Sequence, residues 1–63
     1  MKNADLAPRY VIAMRDEEEG LLFWNNDNGF GDLASATVFT TTEARNYDLP
    51  FANNEPEWME LPA

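Results

Sequence analysis

The chain holds no cysteine and no histidine in 63 residues, and that double absence constrains its fold more than any other feature. A domain this small buries only about 60% of the surface its unfolded chain exposes. Natural domains of this size often add disulfides or a structural metal. Structural zinc sites are built from cysteine and histidine, so neither staple is available. What remains is apolar packing. Two Trp, two Tyr and four Phe supply the material, because each aromatic ring buries roughly 150–250 Å². The sequence therefore predicts one small domain over residues 1–63, with residues 1–8 a flexible leader closed by Pro8.

Along the chain, Arg9 to Arg15 reads as a strand, with Tyr10, Ile12 and Met14 on one face and Val11, Ala13 and Arg15 on the other. Asp16-Glu17-Glu18-Glu19-Gly20 is a polar connection whose glycine accepts a positive φ. Leu21 to Trp24 is a second strand, and the two are expected to pair as an antiparallel hairpin. Asn25 to Asp32, with Asn28-Gly29 inside it, is the strongest turn signal. Leu33 to Ala36 reads as a helical turn or a loop, and Thr37-Val38-Phe39 as a short strand, so residues 33–39 stay open between strand and helix.

Thr40 followed three residues later by Glu43 is a capping box, in which each side chain satisfies a backbone N–H at the opposite position. It predicts a helix from about Thr41 to Tyr47 that stops before Leu49-Pro50. Residues 50–56 read as loop, and Glu57 to Leu61 as a last strand ended by Pro62. The expected fold class is α+β: a small antiparallel sheet of three to four strands with one short helix, in the order β-β-(β)-α-β. No internal repeat, heptad or low-complexity tract stands out.

Most catalytic schemes lose their essential parts here. Without His or Cys there is no Ser-His-Asp triad, no thiolate and no imidazole base. Ser35 is the sole serine and Lys2 the sole lysine. A carboxylate pair needs a cleft that pushes two pKa values apart, which a chain of this length rarely builds. The sequence predicts no enzyme, no cofactor and no metal. The Asn25 to Asp32 stretch fails as an EF-hand loop: Gly29 at the sixth position puts Trp24 at the first, and Gly31 there puts Phe30 at the fifth. Gly29-Phe30-Gly31 lacks the third glycine of a dinucleotide fingerprint. The longest strongly apolar run, Leu21 to Trp24, falls far short of the roughly 20 residues that span a bilayer. Met1 to Asp5 has no signal-peptide core, so the expected location is the cytoplasm.

Charge carries the functional reading. Twelve acids against four basic residues give a net charge of −8, a field that repels nucleic acid and anionic lipid and steers basic partners inward. The expected partner is a basic protein surface, with no direct nucleic-acid or membrane contact. The candidate binding residues are Asp16, Glu17, Glu18 and Glu19 at one hairpin tip, Asp27 and Asp32 in the next loop, and Trp24 and Phe30 beside them. Carboxylates at i and i+2 of a strand lie about 6.8 Å apart on one face, close to the spacing of phosphates along an extended strand. That spacing permits DNA mimicry. Solubility and protection of sheet edges account for the same charges, and a homodimer that helps to complete the core is a second arrangement the composition allows.

The order Tyr10-Val11-Ile12, Phe23-Trp24, Asn28-Gly29-Phe30-Gly31-Asp32-Leu33, Ala36-Thr37-Val38-Phe39-Thr40, Glu43-Ala44, Leu49-Pro50 and Glu57-Trp58 resembles a class of short phage and prophage proteins. The resemblance spans most of residues 10–61. Some short acidic phage proteins are anti-CRISPR proteins, which bind an effector complex and often block its DNA-binding surface. The resemblance thus implies a phage-encoded inhibitor of a CRISPR effector; the alternative is a non-inhibitory interaction module or a homodimeric phage accessory protein.

Overall fold

The computed structural model describes residues 8–50 and 55–62. The expectations for a leader before Pro8 and for part of the 50–56 loop lie outside the described residues. Among the described residues, five strands form one antiparallel sheet: β1 (Arg9–Asp16), β2 (Gly20–Asn25), β3 (Gly29–Gly31), β4 (Phe39–Thr40) and β5 (Glu57–Glu60). One α-helix, α1 (Thr41–Asn46), follows β4, and a 3-10 turn covers Leu33–Ser35. The expected α+β class and strand–helix order hold in outline, while the count of three to four strands is corrected to five.

β1 is the organising strand because it is paired along both edges. On one edge β5 runs beside it, with Tyr10 opposite Glu60 and Ala13 opposite Glu57. The other edge is shared. β2 takes the C-terminal half, from Ala13 opposite Phe23 to Asp16 opposite Gly20, and β4 takes the N-terminal end, with Tyr10 opposite Phe39. β3 pairs with the far edge of β2, placing Phe30 opposite Trp24. Val11, Ile12 and Ala13, at the middle of this central strand, are buried.

Residues directly opposite each other share a face, so the register sorts the sheet. Ile12, Met14, Leu22, Trp24, Phe30, Phe39 and Trp58 lie on one face; Val11, Ala13, Leu21, Phe23 and Met59 lie on the other. The first face carries the aromatic core. Phe39 is buried and meets Trp58 edge-on at 5.1 Å and Tyr47 at 4.9 Å between ring centroids. Trp24 and Phe30 make a second edge-on pair at 5.1 Å. Tyr47 joins the two groups: its ring lies 6.3 Å from that of Trp58, and its hydroxyl meets the Trp24 indole N–H. Such ring pairs add about 0.5–1.5 kcal/mol each beyond their buried area, which matters in a domain without staples.

Two further expectations are corrected. Gly29-Phe30-Gly31, read as part of a turn, is a strand, because pairing with β2 and the Trp24–Phe30 contact outweigh the poor strand propensity of two glycines. The short strand expected at 37–39 begins only at Phe39. The Thr37 N–H donates to the Trp24 carbonyl at 2.9 Å, and the Asn26 N–H donates to the Thr37 hydroxyl at 3.0 Å. That segment is tied to the end of β2 before it reaches β1.

The capping box forms as expected. The Glu43 N–H donates to Thr40 Oγ1 at 3.1 Å and the Thr40 N–H donates to Glu43 Oε1 at 2.9 Å. α1 nevertheless ends at Asn46, and Tyr47, extended at φ −109° and ψ 127°, serves as its C-cap. That extended geometry releases the Tyr47 ring to lie over Phe39 and Trp58.

Candidate functional site

The acidic candidates are set by two turns built to one plan. In the first, the Asp16 carboxylate accepts from the Glu18 and Glu19 N–H groups at 2.9 and 2.8 Å, and Gly20 closes the loop at φ 82°. In the second, Asn25 Oδ1 accepts from the Asp27 and Asn28 N–H groups at 2.7 and 2.9 Å, and Gly29 closes at φ 81°. Both are three-residue hairpin loops in which the glycine takes the left-handed position that a side chain resists. Glu17, Glu18 and Glu19 are exposed at the first tip, while Asp16 is occupied in holding the turn. Asp32 is likewise engaged: its Oδ1 accepts from the Ser35 hydroxyl at 2.8 Å and steadies the 3-10 turn.

The expected candidates therefore fall into two groups. Glu17 to Glu19 lie at one end of β2, and Asp27, beside Trp24 and Phe30, lies at the other end. Five residue steps from Gly20 to Asn25 put the two groups about 17 Å apart at the usual rise per residue. The run of four acids lies in a turn, so the strand spacing that suggested a row of phosphates does not apply to it. In β5, Glu57 and Glu60 are three positions apart and fall on opposite faces. Neither Trp24 nor Phe30 is exposed: both are half-buried, and the Trp24 N–H donates to Asn26 Oδ1 at 2.8 Å as well as to the Tyr47 hydroxyl at 3.2 Å.

The structure adds a feature that sequence reasoning missed. A groove of about 450 Å³ opens between the second turn and α1. Asn26 and Thr37 line one side, Glu43 and Asn46 the helix side, and Val38, Phe39 and Tyr47 lie between them. Phe39 is buried, whereas Val38 is 46% exposed. The volume falls in the range of small ligand sites, and a mostly apolar bed with a few polar groups is their usual make-up. Among the described residues its lining comes from the stretch Thr37 to Tyr47 and from Asn26 in the second turn, and the one local signal was Val38, an apolar residue two positions before the helix cap Thr40.

Among the described residues, no group of three or more His, Cys, Asp or Glu is placed to hold a metal ion. No helix among them is long and apolar enough to cross a membrane. No protein-family model, curated protein or solved structure matches the chain.

Proposed function

We propose that the protein acts by binding a basic protein surface, and that it is an inhibitor which occupies the nucleic-acid-binding groove of a CRISPR effector. The observation that carries this reading is the tip of the first hairpin. Three consecutive exposed glutamates stand on a turn held by two backbone N–H groups that donate to the Asp16 carboxylate, in a chain of net charge −8. A fixed turn presents its charges without the ordering cost a mobile tail would meet on binding. The choice of a CRISPR effector rests on the likeness to short phage proteins, and cytoplasmic action in an infected host goes with it.

The test is displacement of target DNA from purified CRISPR effector complexes, read by fluorescence anisotropy. The expected result is displacement by the wild-type protein that weakens strongly between about 0.1 and 0.5 M salt. Replacing Glu17, Glu18 and Glu19 together by Lys, with Asp16 kept to hold the turn, is expected to abolish it. Unchanged displacement by that variant removes the tip from the mechanism, and no displacement from any effector removes the inhibitor reading.

A second reading is favoured by Leu21 and Met59, which are 42% and 37% exposed on the sheet face opposite the aromatic core. Two such faces brought together describe a homodimeric interaction module.

A further inference from the structure

We propose that the groove beside α1 is a recognition site for an arginine side chain in an extended segment of the partner. The inference rests on the reading of a basic partner and names how one of its residues is held. The chemistry of the groove selects the occupant. Among the described residues that line it, Glu43 is the one carboxylate and there is no lysine or arginine. One carboxylate oxygen of Glu43 accepts from the Thr40 N–H, and the other is left for a ligand. Asn46 donates its Nδ2 to the Thr42 carbonyl at 3.0 Å, so its Oδ1 is the end left over. Residues three apart on a helix are neighbours, which makes these two acceptors a pair on one rim.

Between the rims lie the Val38 side chain and the Tyr47 ring. The methylene stem of an arginine packs on such apolar surface while its head stays polar, and an aromatic face attracts a guanidinium more often than an ammonium. The Tyr47 hydroxyl is already engaged, since it accepts from the Trp24 indole N–H at 3.2 Å and donates to Asn26 Oδ1 at 3.0 Å. Asn26 Nδ2 makes no hydrogen bond among the described residues, and is a donor for the peptide carbonyl that precedes or follows the arginine. A guanidinium with five planar donors fits two acceptors on one rim better than the point charge of a lysine. Anions are disfavoured by Glu43 and by the net charge. A second copy of this chain, at −8, is disfavoured on the same ground.

The experiment is a titration followed by nuclear magnetic resonance, with acetyl-Gly-Arg-Gly-amide as probe and its citrulline analogue, uncharged and of the same shape, as comparison. The arginine peptide is expected to shift the amide signals of residues 37–47 and the side-chain amide of Asn26. The citrulline peptide is expected to bind about tenfold more weakly, the loss of a charge-assisted contact at a partly exposed site. Glu43→Gln preserves the capping box, since Gln serves there as well as Glu, and is expected to weaken the arginine peptide about fivefold. Glu57→Gln removes the same charge from β5, away from the groove, and is expected to change binding less than about twofold.

Equal binding of the two peptides overturns the inference, as does an equal effect of Glu43→Gln and Glu57→Gln, which marks a diffuse field in place of a site. DNA displacement by Glu43→Gln, measured in parallel, separates the two levels. If displacement persists while the arginine peptide leaves the groove signals unmoved, the groove falls and the basic-partner reading stands. If the wild-type protein displaces nothing, that reading falls on its own while the peptide result still decides the groove.

Discussion

At Asp16 a side-chain oxygen accepts two backbone N–H groups, and at Asn25 another does the same. The difference is on the second atom of each side chain. Asn25 Nδ2 donates to the Ser35 carbonyl, which ties the second turn to the 3-10 turn ten residues later; a carboxylate has no proton to give. Exchange of acid and amide is therefore unequal at two sites with one backbone plan. Asp16→Asn keeps both turn bonds and is expected to change stability by less than about 0.5 kcal/mol. Asn25→Asp loses the donor and sets a carboxylate against a carbonyl oxygen, at a cost of roughly 1–3 kcal/mol. Urea denaturation of the two variants beside the wild type checks this, and equal losses would show that the Ser35 contact contributes nothing. The Asx-to-Gly spacing common to Asp16–Gly20 and Asn25–Gly29 was visible in the sequence as a repeated turn signature, and reading the second stretch as one long loop hid it.

At the scale of elements, the short helix depends on its ends. Six residues are too few for a helix to persist alone in water, so α1 relies on its capping box and on the Tyr47 ring beyond its last turn. Thr40→Ala removes the acceptor for the Glu43 N–H and is expected to lower stability by about 1 kcal/mol, whereas Thr40→Ser is expected to remain within a few tenths. Thermal unfolding read by circular dichroism separates the two, and an equal loss in both would assign the effect to the Thr40 methyl group and its packing. This element was legible from sequence because a capping box is local: the residues that signal it are those that form it. The first hairpin was legible for the same reason. β3 was not, since Gly29-Phe30-Gly31 becomes a strand only through its partner Phe23-Trp24-Asn25. The groove was harder still, because the Asn26–Tyr47 hydrogen bond that closes it spans 21 positions and no local pattern encodes it. The acidic tip could be named from sequence, but its split from Asp27 by the length of β2 could not.

At the scale of the whole molecule, charge and exposed apolar surface pull association in opposite directions. Two copies at −8 each brought to about 25 Å repel by on the order of 10 kcal/mol before screening; a screening length of about 10 Å at 0.1 M salt already removes most of that, and about 3 Å at 1 M removes the rest. The attraction on offer is small. Leu21 and Met59 lie on one face but on strands to either side of β1, opposite Arg15 and Val11, with Ala13, flanked by the half-buried Phe23 and by Glu57, between them. A stable interface buries about 800 Å² per partner, one sixth of the 4804 Å² surface of this chain, and two separated side chains do not make a patch of that size. The protein is therefore expected to be a monomer of 7.2 kDa by light scattering at about 0.05 M salt, and to remain one at about 0.5 M. A mass that doubles as salt is added would mean that repulsion alone holds the copies apart and that the apolar face is an interface. Leu21→Lys would then be expected to restore the monomer at high salt, and the homodimeric reading would replace the inhibitor as the better account of this fold.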